Sequence, residues 1–364
     1  MIIVLKICIS VIKKEECIII DEKLKIINEL GFKFRTTKDE EEKENIEQEL
    51  KDIIFDLKKD AIDKFKDESD IKTFLDNITK FNNYSFNNQI LIWIQNPDAN
   101  YVSSFKNFTK MGYKINKGAK GIKIFIPNFM NFVKIQDKDS KDGYIIKPYF
   151  LLTDDEKKIY KDKKDDSITF FNQKLTGFSL GNVFDANDTN MPVDVINNEL
   201  NPILDDMKAD DIMDCFIKTI YNDGFKVEFE DLKGDMKGYC NHKDKKIVIK
   251  NGLGSLIQLE VLIHEYGHAL AHKHLEDNYK EYTDHRNKYE TEAESISYVV
   301  SKYLGMPTNN CQLSYLYAWS KEKDFQEIDD SLSTIVNYSK KIIKNFEKFF
   351  DREYGLYAEE MKSI

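Results

Sequence analysis

The sequence has few cysteines, and no stretch of it is apolar for long enough to cross a membrane. Its five cysteines are odd in number and show no CxxC spacing, which is typical of unpaired thiols in a reducing compartment. A membrane span needs roughly 18 uninterrupted apolar residues, and the apolar runs here are shorter. We therefore expect a cytoplasmic protein with no disulfide framework and no membrane partner.

The first residues are apolar but lack the marks of a secretion signal. No basic region precedes the apolar run of residues 1–12, and Lys6 interrupts that run. The charged residues Lys13 to Glu16 follow it without a small-residue cleavage site. The pattern favours a short strand or the start of an amphipathic element.

The chain as a whole has a deficit of positive charge. Its 54 lysine and arginine residues face 64 acidic ones, which gives a net charge of −10 and argues against a nucleic-acid coat. Residues 80–126 differ, because they hold seven lysines against one acid, Asp98, with aromatic residues between them. Basic side chains that follow phosphates, together with aromatics that stack on bases, are typical of single-strand binders.

The candidate DNA contacts come from this lysine-rich segment. Solvated surface is an equally good interpretation of the four lysines between positions 114 and 123. Trp93, with its apolar neighbours, is a better candidate for the core than for a stacking platform. The candidate DNA-binding residues are Lys106, Lys110, Lys114, Lys117, Lys120, Lys123 and Tyr113.

The most specific motif is an HExxH, His264-Glu-Tyr-Gly-His268, inside a run with helical apolar spacing. Two histidines at i and i+4 project from one helical face, so both imidazoles can reach one Zn²⁺ ion. Glu265 lies beside that face as the candidate catalytic base, which would take a proton from the attacking water and pass it to the leaving amine. Chance occurrence is the alternative, and the apolar face of the segment argues against it.

A catalytic zinc of this kind needs a third protein ligand and one open position. His272 lies two turns beyond His264, about 12 Å along the helix axis, which is too far for a shared ion. We expect His272 to pack or to cap the helix instead. His274 stands where HExxHxxGxxH has its third histidine, but the glycine at which such a chain turns back is Ala271 here.

Better candidates for the third ligand lie in Tyr289–Val300, the acidic start of a second helix with apolar periodicity. Glu290 and Glu294 share one helical face, while Glu292 points elsewhere. One of the two carboxylates can bind zinc while the other accepts the N–H of a ligating histidine. The alternative is that the three glutamates only favour a helix N-terminus.

The HExxH motif followed by Glu290-Thr-Glu-Ala293 resembles the ImmA/IrrE-type metallopeptidases. This resemblance implies a zincin-like fold in which Glu290 is the third zinc ligand, beside His264 and His268. Glu294 stands where that family usually has asparagine. With Glu290 as the ligand, Glu294, one helical turn on, is then the carboxylate that can accept the N–H of a ligating histidine.

The first half of the chain resembles the N-terminal single-stranded-DNA-binding domain of ArdC-type antirestriction proteins. The matching segments are residues 83–93, 105–113 and 115–124, with Phe108 where relatives commonly carry tryptophan. The resemblance implies that this half binds single-stranded DNA. The order of the two domains, DNA-binding and then peptidase, is also similar.

Together these observations predict an α+β protein, with an N-terminal α+β DNA-binding domain followed by a helix-rich zincin-like metallopeptidase domain. The predicted segments are an N-terminal extension over 1–44, an ArdC-like domain over 45–190, a linker over 191–205 and a metallopeptidase domain over 206–364.

We expect a zinc metallopeptidase of a mobile element, such as a plasmid, that binds single-stranded DNA and hydrolyses a nearby protein, for example a restriction enzyme or a repressor. One alternative is an antirestriction protein that binds DNA without proteolysis and carries a structural zinc. The other is an ImmA-like peptidase that cleaves a repressor.

Overall fold

The computed structural model describes residues 2–37, 39–65, 68–162, 167–199, 208–275, 279–308 and 324–361. Its fold is α+β, as predicted, and helices predominate. In these residues no helix is both long and apolar enough to span a membrane. The chain forms two compact units, one of residues 1–57 with 123–182 and one of residues 58–122 with 183–364.

The helices and strands alternate irregularly along the chain. The helices are α1 (Ile2–Thr36), α2 (Glu40–Ile62), α3 (Glu68–Lys80), α4 (Phe86–Gln95), α5 (Phe105–Lys110), α6 (Asp154–Asp162), α7 (Val193–Glu199), α8 (Ala209–Asn222), α9 (Ser255–Ala271), α10 (Tyr279–Asp284), α11 (Arg286–Tyr303) and α12 (Phe325–Met361). The strands are β1 (Val102–Ser103), β2 (Ile122–Gln136), β3 (Tyr144–Pro148), β4 (Ile168–Asp185), β5 (Lys226–Glu230), β6 (Gly238–Asn241) and β7 (Lys246–Lys250).

The first unit is built on long antiparallel strands. In this unit β2 lies between β4 and β3, and β2 pairs with β3 in antiparallel fashion so that Val133 lies opposite Lys147. Strand β1 pairs with Phe184 and Asp185 at the end of β4, and these residues belong to the second unit. A tight turn with Gly143 at φ +73° joins these two strands, a conformation that glycine adopts without strain. Val133, Leu152 and Ile168 form a small buried cluster on this sheet.

The second unit contains a three-stranded sheet in the order β5-β7-β6. The central strand, β7, is parallel to β5 and antiparallel to β6. Ile247, Val248 and Ile249 are fully buried in it, which suits β-branched residues in a covered strand. Among the described strands β6 pairs with β7 alone, so it forms one edge of this sheet.

Helices α9, α11 and α12 make up the core of the second unit, and α3 packs on α11. The α9 face with Leu259, Leu262 and Ile263 is fully buried. On α11, the buried Tyr298 donates its hydroxyl to Asp76 of α3 at 2.7 Å. This bond joins residues that are far apart in the sequence.

Three expectations about organisation differ from the fold. The N-terminal strand is wrong, because the run continues without proline or glycine into one helix, α1. Part of the predicted linker is helix α7, whose Ile196 is buried in a cluster with Phe108. The two compact units are also interleaved along the chain, whereas the sequence predicts consecutive segments, because α3 packs on α11.

Candidate metal centre

Helix α9 presents two histidine side chains from adjacent turns. The Nε2 atoms of His264 and His268 lie 3.2 Å apart, as expected for residues at i and i+4 on one face. The apolar residues of α9 pack into the core, which fixes the rotation of the helix about its axis. The sequence pattern therefore orients both imidazoles in the same direction.

Glu290 of α11 completes a triangle of donor atoms with these histidines. Its Oε2 lies 3.5 Å from Nε2 of His264 and 3.6 Å from Nε2 of His268. Among the described residues, these three side chains form the group of metal-ligand type that is close enough to hold one ion.

The size and chemistry of this triangle fit a small divalent cation. Ligands bound at about 2.0–2.1 Å in tetrahedral geometry are separated by roughly 3.3 Å, and the sides of the triangle are 3.2, 3.5 and 3.6 Å. Two imidazoles and one carboxylate are the donors of many three-ligand zinc sites. The residues present therefore suit the ion that the sequence predicts.

The electrostatics of the triangle favour a positive charge. Burial by itself lowers the pKa of His264, but the carboxylates of Glu290 and Glu294 outweigh it and raise that pKa to about 10. Burial likewise works to raise the pKa of Glu290, but the neighbouring imidazoles of His264 and His268 hold it far below its usual range. A site that stabilises a proton on a ligand in this way also favours a metal cation.

Glu294 lies on the far side of His264 from the donor triangle. Its Oε2 is 3.4 Å from Nδ1 of His264, so a proton on Nδ1 faces a carboxylate and Nε2 stays available as a donor. The structure thus places Glu294 where a residue that orients this histidine would lie. It also places Glu290, and not Glu294, within the triangle.

Glu265, the candidate base, is 8% exposed and lies under the edge strand β6. Burial raises the pKa of its carboxyl group, while the two histidines and a hydrogen bond from the backbone of Cys240 work in the opposite direction. A glutamate with a raised pKa exchanges protons closer to neutrality. Gly238 allows this contact, because a Cβ there would lie 2.6 Å from Val261 Cγ1.

The second oxygen of Glu290 is also held. The Tyr282 hydroxyl donates to Oε1 at 2.7 Å, and Nε of the exposed Arg286 lies 3.7 Å from the same atom. Burial, followed by the bond to Glu290, raises the pKa of Tyr282. From sequence, Tyr282 is a candidate only for an oxyanion donor, and its contact with Glu290 across the turn between α10 and α11 is not predictable. For Arg286 the i, i+4 spacing to Glu290 on α11 was the available signal.

Two further side chains, His272 and Glu292, lie behind the triangle, and the sequence interpretation did not predict their contact. Nδ1 of His268 lies 2.9 Å from Nδ1 of His272, and Nε2 of His272 lies 3.0 Å from Oε2 of Glu292. The distance along the helix excluded His272 as a ligand, and His272 does not belong to the donor triangle. The expectation that His272 packs or caps the helix did not include its contact with His268. The i+4 spacing of His268 and His272 was the available signal.

The remaining histidine considered as a ligand, His274, is exposed and lies in a short 3₁₀ helix, Lys273–Leu275. Its ring contacts Tyr289, with the ring centroids 6.0 Å apart. Within the described residues it is not part of the donor triangle.

The candidate DNA-binding residues of the second unit lie on α5 and on the loop after it. Lys106, Lys110, Lys114, Lys117 and Lys120 are exposed, and Tyr113 is half-buried. Lys123 belongs to the first unit, as the first residue of its segment 123–182. It is also half-buried, and its Nζ lies 3.5 Å from Asn182 Oδ1.

The loop that carries the central lysines has a defined backbone. The Lys114 amide donates to Asn190 Oδ1 at 2.6 Å, and the Asn116 amide donates to the Asp188 carbonyl at 2.8 Å. Two aromatics of this segment do not face solvent: Phe108 is fully buried, and Trp93 is 4% exposed. The core interpretation of Trp93 is therefore confirmed, and Phe108 is not accessible to bases.

Comparison with known protein families finds a match in the first half of the chain. Residues 43–184 match the family model described as the N-terminal domain of anti-restriction factor ArdC. This match confirms the resemblance predicted from the three segments between residues 83 and 124.

A relative and two solved structures are similar over a larger part of the chain. An uncharacterized protein of Bacillus anthracis is 28% identical over 319 residues, which are 84% of this chain and 52% of the relative. The chain therefore spans about half the length of this curated relative.

The solved structures are those of the antirestriction ArdC protein from the R388 plasmid. Its metal-free crystal structure has a TM-score of 0.40 and 14% identity, and the alignment covers 73% of this chain and 86% of that one. Its Mn(II)-bound crystal structure has a TM-score of 0.41 and 16% identity, covering 72% and 85%.

Proposed function

We propose that this chain is an ArdC-like antirestriction protein of a mobile element, such as a plasmid, that binds single-stranded DNA. The match of residues 43–184 to the N-terminal domain of an anti-restriction factor carries this proposal. Such a protein would protect incoming unmodified DNA from the restriction enzymes of the host. The chain would act in the cytoplasm, where that DNA arrives.

The lysine-rich loop supports the proposed DNA contact. Five exposed lysines lie within fifteen residues, on α5 and on the loop pinned to residues 188–190. Ammonium groups on a fixed backbone can follow a phosphate chain without reading its bases. Local positive charge within a chain of net charge −10 suits an interaction that is confined to this surface.

We also propose that His264, His268 and Glu290 hold one divalent metal ion, with Zn²⁺ as the first candidate. The donor set of two imidazoles and one carboxylate, spaced by 3.2 to 3.6 Å, supports it. An ion bound there would polarise a carbonyl oxygen and lower the pKa of a water molecule. Mn²⁺ is the second ion to test, since an ArdC protein has been crystallised with it.

A second candidate function is hydrolysis of a peptide bond in a protein found near the DNA. The position of Glu265 favours it, because this buried carboxylate lies next to the histidine pair and has a raised pKa. In that reaction Glu265 would take a proton from the attacking water and hand it to the leaving amine. A restriction enzyme or a repressor is the expected class of substrate.

The test of these two functions is Glu265→Gln, measured as transfer of an unmodified plasmid into a restricting host. Glutamine keeps the size of the side chain but cannot accept a proton. If DNA binding alone gives protection, Glu265→Gln should protect within about twofold of wild type and should retain zinc. Glu260→Gln, one turn before His264 on the same helix, is the matched control.

A loss of protection in Glu265→Gln, with DNA binding and zinc content unchanged, would instead support the peptidase. Incubation with host restriction subunits or repressors, followed by mass spectrometry, then identifies the cleaved protein. If wild type gives no protection at all, the antirestriction proposal itself is wrong.

A further inference from the structure

A row of buried polar side chains continues from the donor triangle into the core. It runs from His268 on α9 through His272 to Glu292 on α11, and it ends at Ser331 on α12. The last three are exposed by 1%, 3% and 0%. Polar groups at such depth lower stability unless each has a partner, so their alignment towards a candidate metal ligand needs a reason.

Every group of this row has a partner at hydrogen-bonding distance. Nδ1 of His268 lies 2.9 Å from Nδ1 of His272, and Nε2 of His272 lies 3.0 Å from Glu292 Oε2. The Ser331 hydroxyl donates to Glu292 Oε1 at 2.6 Å. The ammonium group of Lys288 lies 4.0 Å from the same oxygen, so the Glu292 carboxylate has a positive charge beside it.

The carboxylate end of the row determines where each proton lies. An ionised carboxylate only accepts, so Nε2 of His272 must carry a proton. A neutral imidazole has one N–H and one bare nitrogen, so Nδ1 of His272 is bare and accepts from Nδ1–H of His268. Nε2 of His268 is then left with its lone pair, and this is the atom that faces Glu290 and His264.

We propose that Glu292 and His272 are positioning residues that fix the tautomer of His268 and keep its Nε2 available to bind a metal ion. This inference rests on the proposed metal centre. In this proposal His268 is oriented through two residues, His272 and Glu292. His264 is oriented through one, because Glu294 lies directly against its Nδ1. The two candidate ligands of α9 are thus oriented by different carboxylates of α11.

Removing His272 should weaken metal binding without touching the donor triangle. His272→Leu leaves Nδ1 of His268 without its acceptor, so the ring can rotate or place its proton on Nε2. Loss of a partner of this kind costs about 10- to 100-fold in metal affinity. His272→Gln is the rescue variant, because its amide can accept from His268 and donate to Glu292.

The measurement is zinc affinity of the full chain, by competition with a chromophoric chelator and with Zn²⁺ alone as the probe. We expect a 10- to 100-fold loss in His272→Leu and a loss below about fivefold in His272→Gln. Ser295→Ala is the matched control, since Ser295 is also buried on α11 but donates its hydroxyl to the Thr291 carbonyl of its own helix. It should retain wild-type affinity.

Nitrogen-15 NMR of histidine-labelled, chelator-treated wild type reads the tautomers without metal or substrate. We expect a protonated Nδ1 on His268 and a protonated Nε2 on His272. A His268 protonated on Nε2, or zinc affinity in folded His272→Leu equal to wild type, overturns the inference and leaves the metal centre in place. Wild type that binds no zinc overturns the metal centre instead, and if His272→Leu does not fold, the NMR result decides.

Discussion

Glu290 holds a central position among the side chains of the candidate metal centre. Its Oε2 faces both histidines, while its Oε1 accepts from Tyr282 at 2.7 Å. The tyrosine therefore fixes the rotation of the carboxylate, so that one oxygen stays aimed at the histidine pair. Glu294, one turn later, faces Nδ1 of His264, the nitrogen that lies outside the donor triangle.

Because of this difference, we predict that substitutions of Glu290 and Glu294 lower zinc affinity to different extents. Glu290→Gln removes a negatively charged donor, so we expect no zinc to remain after dialysis against micromolar chelator. Glu294→Gln removes only a support of His264, so we expect affinity to fall by about 10- to 100-fold while zinc is still bound. Metal content by mass spectrometry and a competition titration measure both.

Glu260→Gln serves as the control for this pair, because Glu260 lies on α9 one turn before His264 and outside the donor triangle. It should keep wild-type zinc content. Equal zinc retention by Glu290→Gln and wild type would contradict the assignment of the third ligand.

At the scale of single residues, the sequence predicted those contacts of the site that lie within one helix, because helical spacing determines them. The i, i+4 rule brought His264 and His268 together and excluded His272 as a ligand of the same ion. The same rule could not pair His272 with Glu292, because that contact joins two helices and depends on how α9 crosses α11.

Among the elements, the edge strand β6 lies closest to the candidate base. A Cβ on Gly238 would lie 2.6 Å from Val261 Cγ1 and 2.9 Å from the Val248 carbonyl oxygen. The second of these is backbone in the central strand and cannot rotate away. The absent side chain of Gly238 is therefore what lets β6 lie on α9 beside Glu265.

We predict that Gly238→Ala destabilises the protein by about 1–3 kcal/mol, because the added methyl group overpacks this contact. The substitution should also displace the Cys240 amide from Glu265. It should expose the Glu265 carboxylate to more water, which weakens the effect of burial on its pKa. Thermal and urea unfolding measure the effect. Gly254→Ala is the control, since nothing lies within 4 Å of a Cβ there and its change should stay within about 1 kcal/mol.

The lysine-rich loop gives a prediction at the same scale. Lys114→Ala with Lys117→Ala should weaken binding to oligothymidylate and make it less sensitive to salt. Each lost phosphate contact lowers the slope of log K against log salt by about 0.7 for a single strand. The double variant should therefore lower the slope by about 1.4, which fluorescence anisotropy between about 50 and 300 mM salt measures.

Two exposed lysines outside the loop, Lys243 and Lys273, provide a matched control of equal charge. Replacing both with alanine should leave the slope unchanged. If the two double variants behave alike, net charge rather than the loop governs binding, and the proposed contact surface is wrong.

Most elements near the site were predictable from apolar periodicity. The sequence predicts strands near 225–229 and 246–250 and a long apolar helix from about Ser255 to His272, and the structure has β5, β7 and α9 at these places. The packing of α3 on α11 was not predictable, because an amphipathic face specifies that a helix is covered but not by which partner.

For the whole molecule, the interleaving of the two units matters most. The second unit takes α3 and α4 from residues 58–122 and the metal centre from residues 183–364. Two contacts join these parts. The Tyr298 hydroxyl donates to Asp76 at 2.7 Å, and the Lys302 ammonium group forms a salt bridge with Asp76 at 2.6 Å. The stability of the metal centre should therefore depend on residues that lie far before it in the chain.

Two deletions test this dependence. The fragment 206–364 lacks α3 and exposes the covered face of α11, so we expect no cooperative thermal unfolding and no tight zinc binding. A chain of residues 58–126 and 181–364 joined by an Asn-Gly turn keeps the second unit, since β2 and β4 are neighbours. It should unfold cooperatively and bind zinc within about tenfold of wild type. A cooperative transition in fragment 206–364 would contradict the prediction.

The same interleaving imposes an order of events on the ribosome. Helix α3 emerges more than two hundred residues before α11, the helix that covers it. At a synthesis rate of about 5–20 residues per second, the apolar face of α3 stays uncovered for about ten seconds or longer. Chaperones can bind to it during this time. The donor triangle can close only after Glu290 has been synthesised, so an ion at the proposed metal centre would be acquired after the lysine-rich loop has been made.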